Sequence, residues 1–463
     1  MSYEISIERF KNGKMFDSRG KFSHKSGNKF RLFPFVTQPN SEPVLSLGNV
    51  IGTFLCMVEG KTAQKLTANG LSDMLKADFK IQPGQEERFS EVIRQLFFYS
   101  DQTIRPLNLE MLEQKVTNES SEIKIAEYLV DVLGDRNYLK KVVDDVKENI
   151  ALSSNVLENL VLSKLKHEKS DLLKRELSYH RITSSLKGAF EEDFTFVLNN
   201  PKLSREYLVP LLEWYFFSYT AQASLQLNRF LQGEADSNIP LYFCLEWEKT
   251  SQSRLCFLEG WQKLQKVLEK IFAHVIVLEL LNYTEPGSDL VDYIKLSELT
   301  QDSDADISIS KQIDGLTDCY RRAITDCPEM KELKKKDSPF GLTDASIHYL
   351  FDSVKSQFEN TGRIRPYKSY ADKFTSYCHK YLKNRGRSGL MLNLTEETLI
   401  FITKLCIKNR EQLRLKEVFN EFERRGIFLD NFSKDQVASY YEKLNLIEKK
   451  SDSGDAKYVK RIL

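Results

Sequence analysis

The side chains best placed to do chemistry lie between Arg363 and Arg387. Arg363, Arg365, Lys368, Lys373, Lys380, Lys383, Arg385 and Arg387 stand there against a single acid, Asp372, for a local net charge of +7. Tyr367, Tyr370, Phe374, Tyr377 and Tyr381 are interleaved with these bases. Guanidinium and ammonium groups neutralise phosphates and aromatic rings stack on bases, so the pattern suits nucleic-acid contact. The aromatics also fit a quieter role. Residues 370, 374, 377 and 381 share an arc of about 60° on a helix, the narrow stripe of a face packed into a core. The bases beside them, Lys373, Lys380 and those of the loop Asn384-Arg385-Gly386-Arg387-Ser388-Gly389, are expected to be exposed and uncompensated.

Other motifs fail on the chemistry they require. Gly60-Lys61-Thr62 resembles the end of a phosphate loop, but Leu55 stands where such a loop needs its first glycine, and the segment follows a helix instead of a strand. Asp302, Asp304 and Asp306 resemble the opening of a calcium loop. Ile307 replaces its turn glycine and Ile313 its bidentate glutamate, so a solvated acidic loop is expected. Glu122-Ile123-Lys124 carries the Glu-x-Lys fragment of some metal-dependent nucleases without the strand or upstream aspartates. The seven cysteines, at 56, 244, 256, 319, 327, 378 and 406, have no Cys-x-x-Cys spacing, and the six histidines are scattered. Cys378 and His379 point about 100° apart on a helix, a poor nucleophile and base. No catalytic constellation, metal site or cofactor is expected, and the chain does not read as an enzyme.

The elements that must carry these residues are mostly helical. With 463 residues, 29% charged, 11% aromatic, net charge +1 and mean hydropathy −0.42, the composition is that of a soluble globular protein without global attraction to polyanions. The longest apolar run, Ile271 to Leu281, contains His274 and Glu279 and is too short to cross a bilayer, and the start lacks a signal pattern, so a cytoplasmic protein without membrane contact is expected.

Apolar residues at spacings of three and four predict helices over 50–59, 87–100, 108–115, 122–133 and 138–149. A long helix over 207–231, with Trp214, Tyr215, Phe216, Phe217 and Tyr219 nearly consecutive, is expected to be buried around much of its circumference. Helix is predicted again over 255–283. Alternation predicts a short strand over Lys29-Phe30-Arg31-Leu32-Phe33 and a lone strand over 239–246, while 301–310 reads as a polar break. The expected plan is mainly α: a basic segment with a short strand (1–48), a helical domain (49–200), a helical core domain (201–330), a basic helical segment (331–392) and a small terminal domain (393–463).

That last stretch spells out its fold. Thr395 caps a first helix, Gly426 ends a second, and Ser433 with Gln436 forms a capping box for a third whose apolar face is Val437, Tyr441 and Leu444. Two short strands then bracket the turn-formers Ser451 to Ala456, giving the order of a winged helix-turn-helix domain. The outward face of its third helix shows Asp435, Ser439, Glu442 and Lys443, too acidic for base reading. DNA contact is therefore expected at the wing, through Lys449, Lys450, Lys457, Lys460 and Arg461, or else the domain docks on protein.

Two stretches carry a family resemblance. Lys25-Ser26-Gly27-Asn28-Lys29-Phe30-Arg31-Leu32-Phe33-Pro34-Phe35 near the start, with Phe422-Glu423-Arg424-Arg425-Gly426-Ile427-Phe428 and Ser451-Asp452-Ser453-Gly454-Asp455-Ala456-Lys457-Tyr458-Val459 near the end, resemble the DptG (DndG) component of phosphorothioation-dependent DNA restriction systems. The resemblance implies a bacterial antiviral defence protein acting beside a DptF-type ATPase and a DptH-type, HerA-like translocase on DNA lacking backbone sulfur. It brings no catalytic residues. The expected function is a non-catalytic adaptor holding duplex DNA and a partner ATPase or translocase. The alternative is a protein-interaction scaffold of a multi-subunit complex that does not touch DNA.

Overall fold

A computed structural model describes residues 3–13, 15, 22–63, 66–100, 104–105, 108–153, 156–165, 167–169, 177–449 and 457–462. The chain is mainly helical, with 19 α-helices and three small sheets of two or three strands among the described residues. It forms two compact units, each assembled from separated stretches: Val44–Ser178 with Lys187–Phe216, and Met1–Pro43 with Tyr179–Leu186 and Phe217–Leu463. The expected domain starts at 201, 331 and 393 fall inside these units.

The first unit is built on the helix Val50–Glu59, whose residues 50 to 58 are all buried. Gly60 ends it in the left-handed conformation, at φ 82°. Gly52 permits a close crossing: a Cβ there would lie 2.5 Å from the carbonyl of Lys115. Behind the helix end sits a buried ionic group. Lys61 reaches Glu59 and Glu113 at 2.9 Å each, and Lys147 reaches Glu59 at 2.6 Å and also pairs with Glu113. Burial pushes the Glu113 carboxyl up to about 8 despite these ammonium groups. Trp214, Tyr215 and Phe216 are buried, as their run of aromatics requires.

The second unit is built on the helix Ile271–Leu281, buried at all eleven positions. Ser303–Ala323, Leu342–Glu359 and Ile364–Cys378 are its long neighbours in sequence. Inside the helix Ile271–Leu281 the Glu279 carboxylate is fully buried, and it accepts hydrogen bonds from four successive backbone amides: Gly27 (3.0 Å), Asn28 (3.2 Å), Lys29 (2.8 Å) and Phe30 (3.0 Å). This corrects the strand expected over Lys29 to Phe33. The amides that a strand would turn to a neighbour are spent on a carboxylate, leaving one bridge between Arg31 and Tyr179.

Three further expectations change. The polar break at 301–310 is the start of the helix Ser303–Ala323, because Asp302 caps it by accepting from the amides of Asp304 (3.1 Å) and Ala305 (3.0 Å). Asp306 likewise accepts from Leu342 and Thr343, both at 2.8 Å. The strand near 239–246 shortens to Cys244–Leu245 and is not alone, since it pairs in parallel with Leu390–Leu394, which also carries Leu382–Asn384 on its other edge. The helix over 255–283 is interrupted at Gly260, which has non-helical backbone angles and whose added Cβ would meet the Tyr242 carbonyl at 2.7 Å.

At the end of the chain, helices Glu396–Ile407, Leu415–Arg424 and Asn431–Lys443 are accompanied by an antiparallel sheet. Its strand order is Gln412–Arg414, Lys457–Lys460, Ile447–Lys449. Thr395 caps the first helix as expected. The third starts earlier than its expected capping box: Asp430 accepts from the Ser433 amide at 2.9 Å, and Ser433 is buried within the first turn. The turn Ser451 to Ala456 lies outside the described residues.

Candidate nucleic-acid interface

The helix Ile364–Cys378 presents two faces. Tyr367, Tyr370, Phe374 and Tyr377 are buried, and Tyr381 beyond its end is also buried. The Tyr370 ring packs 4.7 Å from Phe272, and Phe374 stacks on Phe35 and Phe217. These aromatics are core, so base stacking is not open to them.

The bases divide sharply. Arg363 pairs with Asp326 at 2.5 Å, and that bond holds the aspartate carboxyl below its ordinary range. Lys373 donates to the Ser41 carbonyl. The Lys380 ammonium sits 4.5 Å from the Tyr377 ring centre. Lys383 donates to the Glu246 carbonyl at 3.0 Å and lies 3.5 Å from its carboxylate.

Arg385 is the largest correction to the exposed-loop expectation. Its Nη2 donates to the Leu245 carbonyl (2.6 Å) and Asn393 Oδ1 (2.7 Å) and touches Cys244 Sγ (3.4 Å), while Nη1 reaches the carbonyls of Glu246 and Glu248, both at 3.2 Å. The carbonyls where the strand Cys244–Leu245 ends and the side-chain oxygen of Asn393 on its parallel neighbour are gathered by one planar fork of donors. Arg385 is a staple of the fold.

At the terminal sheet, Lys457 (3.1 Å) and Lys449 (3.7 Å) both lean on Glu442, which they hold below the ordinary carboxylate range. Lys450 lies outside the described residues. Arg365, Lys368, Arg387 and Arg461 are exposed and Lys460 half-buried, and their side-chain nitrogens have no partner among the described residues. Arg365 and Lys368 share one place: with Lys373, Asp372 and the stretch containing Ser41, they line a cleft of about 550 Å³.

The third terminal helix is tied at its N-cap, and its far end meets Trp247. Arg254 grips Asp430 through two bonds, at 2.9 and 2.5 Å, and lies 3.3 Å from Glu248. Ser433 Oγ donates to Glu248 at 3.0 Å, and Trp247 packs on Tyr440 at 4.6 Å. A helix that reads bases does so with its first turns, and here Asn431, Phe432 and Asp435 are what those turns expose. Asp435, Ser439, Glu442 and Lys443 are exposed, as the sequence implies.

Both resemblance segments turn out to carry structural duties. The first wraps Glu279 with its amides. In the second, Arg425 is fully buried and donates to the Glu421 carbonyl (2.8 Å), the Glu421 carboxylate (2.6 Å) and the Leu405 carbonyl (3.1 Å), while Gly426 supplies φ 80°. Sequence reading missed Glu279, Glu248, Arg254 and Arg385 as organising residues. Their partners stand 6 to 252 residues away, at separations that no helix or strand period signals.

No protein-family model matches the chain, and no curated protein matches it. Among the described residues, no helix is long and apolar enough to cross a membrane.

Proposed function

We propose that the chain is a non-catalytic, cytoplasmic adaptor subunit of a bacterial phosphorothioation-dependent restriction complex, holding duplex DNA by its backbone. The observation that carries this reading is the pair of exposed cations Arg365 and Lys368, whose side-chain nitrogens have no partner among the described residues, in a cleft where Asp372 is the one acid. In this reading residues 393–463 form a winged helix that serves as a joint to a DptF-type ATPase and a DptH-type, HerA-like translocase. The three helices followed by two paired strands have that element order. Phosphate contacts fix position without reading sequence, which suits a subunit whose third helix offers acids outward.

Titrating duplex binding against salt tests the proposal. The wild-type chain is expected to bind with a salt-sensitive affinity, and R365A/K368A to lower the slope by about two. Salt-insensitive binding, or a double variant with an unchanged slope, overturns it.

The second reading, a scaffold without DNA contact, draws on the acids Asp435 and Glu442 that the third helix exposes. It predicts that D435K/E442K releases the partner ATPase in co-purification while R365A/K368A leaves restriction unaltered. Retention of the partner by D435K/E442K counts against it.

A further inference from the structure

Beside the start of the helix Leu342–Glu359 is a second cleft, of about 350 Å³, in which the function proposed above has no part. Its wall carries Asp344 and His348 one helical turn apart, with Ser338, Lys334 and Lys336 on the preceding loop and the rings of Phe340 and Tyr349 beside them.

Asp344 is the centre of the site. Its side chain is 1% exposed, yet only one of its oxygens is served. Oδ2 accepts from Ser338 Oγ at 2.5 Å and pairs with His348 Nδ1 at 3.2 Å. The Leu231 amide approaches the carboxylate, but no donor meets Oδ1 with hydrogen-bond geometry. A buried carboxylate oxygen without a donor is costly in a native protein and marks a place for a ligand donor.

The neighbours narrow the ligand. His348 Nδ1 also lies 2.9 Å from the Asp344 carbonyl, so the ring is held from one side and its Nε2 has no bond among the described residues. One face of the imidazole is covered by Phe230, 4.1 Å away. Phe340 is 56% exposed, has no ring partner among the described residues, and offers a stacking surface at the cleft. Lys334 and Lys336 are exposed cations on the same wall, and Asp337 and Asp352 there offset them. The wall therefore suits a flat ring with one strong donor and a single phosphate, and disfavours a polyphosphate.

The geometry points to a binding site for a nucleoside monophosphate whose base carries an exocyclic amino group. That amino group donates to Asp344 Oδ1, the base stacks on Phe340, and the phosphate lies toward Lys334 and Lys336. Stacking on an aromatic is tolerant of base identity, so the carboxylate makes the distinction. Uridine monophosphate has a carbonyl where cytidine monophosphate has the amino group, and sets an oxygen against Oδ1. This inference does not depend on the DNA reading, since none of its residues lies in the Arg365 and Lys368 cleft.

Calorimetric titration of the full chain with adenosine, cytidine and uridine monophosphates tests it. AMP or CMP is expected to bind with a dissociation constant below about 1 mM, with UMP at least about tenfold weaker. F340A, which alters only an exposed ring, is expected to weaken the bound nucleotide by about tenfold with an unchanged melting temperature. D344N is expected to erase the preference over UMP. Absence of AMP and CMP binding at about 10 mM, equal binding of UMP, or full affinity in F340A each overturns the proposal.

Discussion

Arg385 and Glu113 show how far a charged residue's role depends on what the fold places against it. Arg385 sits in a Gly- and Arg-rich loop, the composition of a mobile cationic arm, yet its guanidinium gathers Leu245, Glu246, Glu248 and Asn393. Its removal takes a charged donor from all four, although the Glu246 carbonyl keeps Lys383 and the Leu245 carbonyl keeps the Glu248 amide. R385A is expected to lower stability by about 2–3 kcal/mol in urea titration. K368A, whose ammonium has no partner among the described residues, is expected to leave stability unchanged. A DNA-binding defect in R385A therefore reports on folding, whereas variants of Arg365 and Lys368 report on contact. Glu113 makes a pH prediction. Its carboxyl is raised from 4.5 to about 8 by burial, so the folded state holds this proton more tightly than the unfolded chain. Its contribution is complete below about pH 4.5 and is lost as pH rises through about 8. E113Q, which cannot ionise, is expected to flatten the decline in urea midpoint across that interval, and a slope equal to wild type would refute the assignment. Sequence spacing placed the aromatics of 367–381 correctly as core because both sides of that argument lie on one helix. It could not pair Arg363 with Asp326, 37 positions back, or Lys383 with Glu246.

Helix ends and interiors were legible where their signals are local. Thr395 as a cap, Gly426 as a left-handed stop, and the helix over 50–59 each depend on residues within a few positions of one another. Asp302 and Asp430 were overlooked as caps because the neighbouring acids and Ser433 offered competing readings. The segment 29–33 alternates like a strand, but a strand also needs partners for its amides, and Glu279 takes those of 27 to 30. The helix Ile271–Leu281 thus orders an otherwise irregular segment through one carboxylate. E279Q keeps the size of the side chain and replaces one acceptor oxygen with an NH2 that faces amide donors. It is expected to cost about 2–5 kcal/mol by thermal or urea unfolding, with faster hydrogen exchange at residues 27–30. A loss confined to exchange, with stability unchanged, would mean that the segment contributes little to the unit.

At the scale of the whole molecule, charge has to be counted after the fold has used what it needs. Thirteen basic residues were candidates for DNA contact, and seven of them are engaged: Arg363, Lys373, Lys380, Lys383, Arg385, Lys449 and Lys457. Lys450 lies outside the described residues, and Arg365, Lys368, Arg387, Lys460 and Arg461 remain available. Net charge of +1 adds no long-range field to these five. Each phosphate neutralised contributes about 0.9 to the logarithmic salt slope, so five contacts set a limit of about −4.5. The measured slope for duplex binding is expected to fall between about −2, if Arg365 and Lys368 act alone, and that limit. A slope of about −8 or steeper would mean that the engaged cations leave their protein partners for phosphate, since ion pairs such as Lys457 with Glu442 are exposed enough to exchange. A slope near zero would shift the balance to the scaffold reading, in which the same surface cations serve solubility and the exposed acids of the third helix join protein to protein.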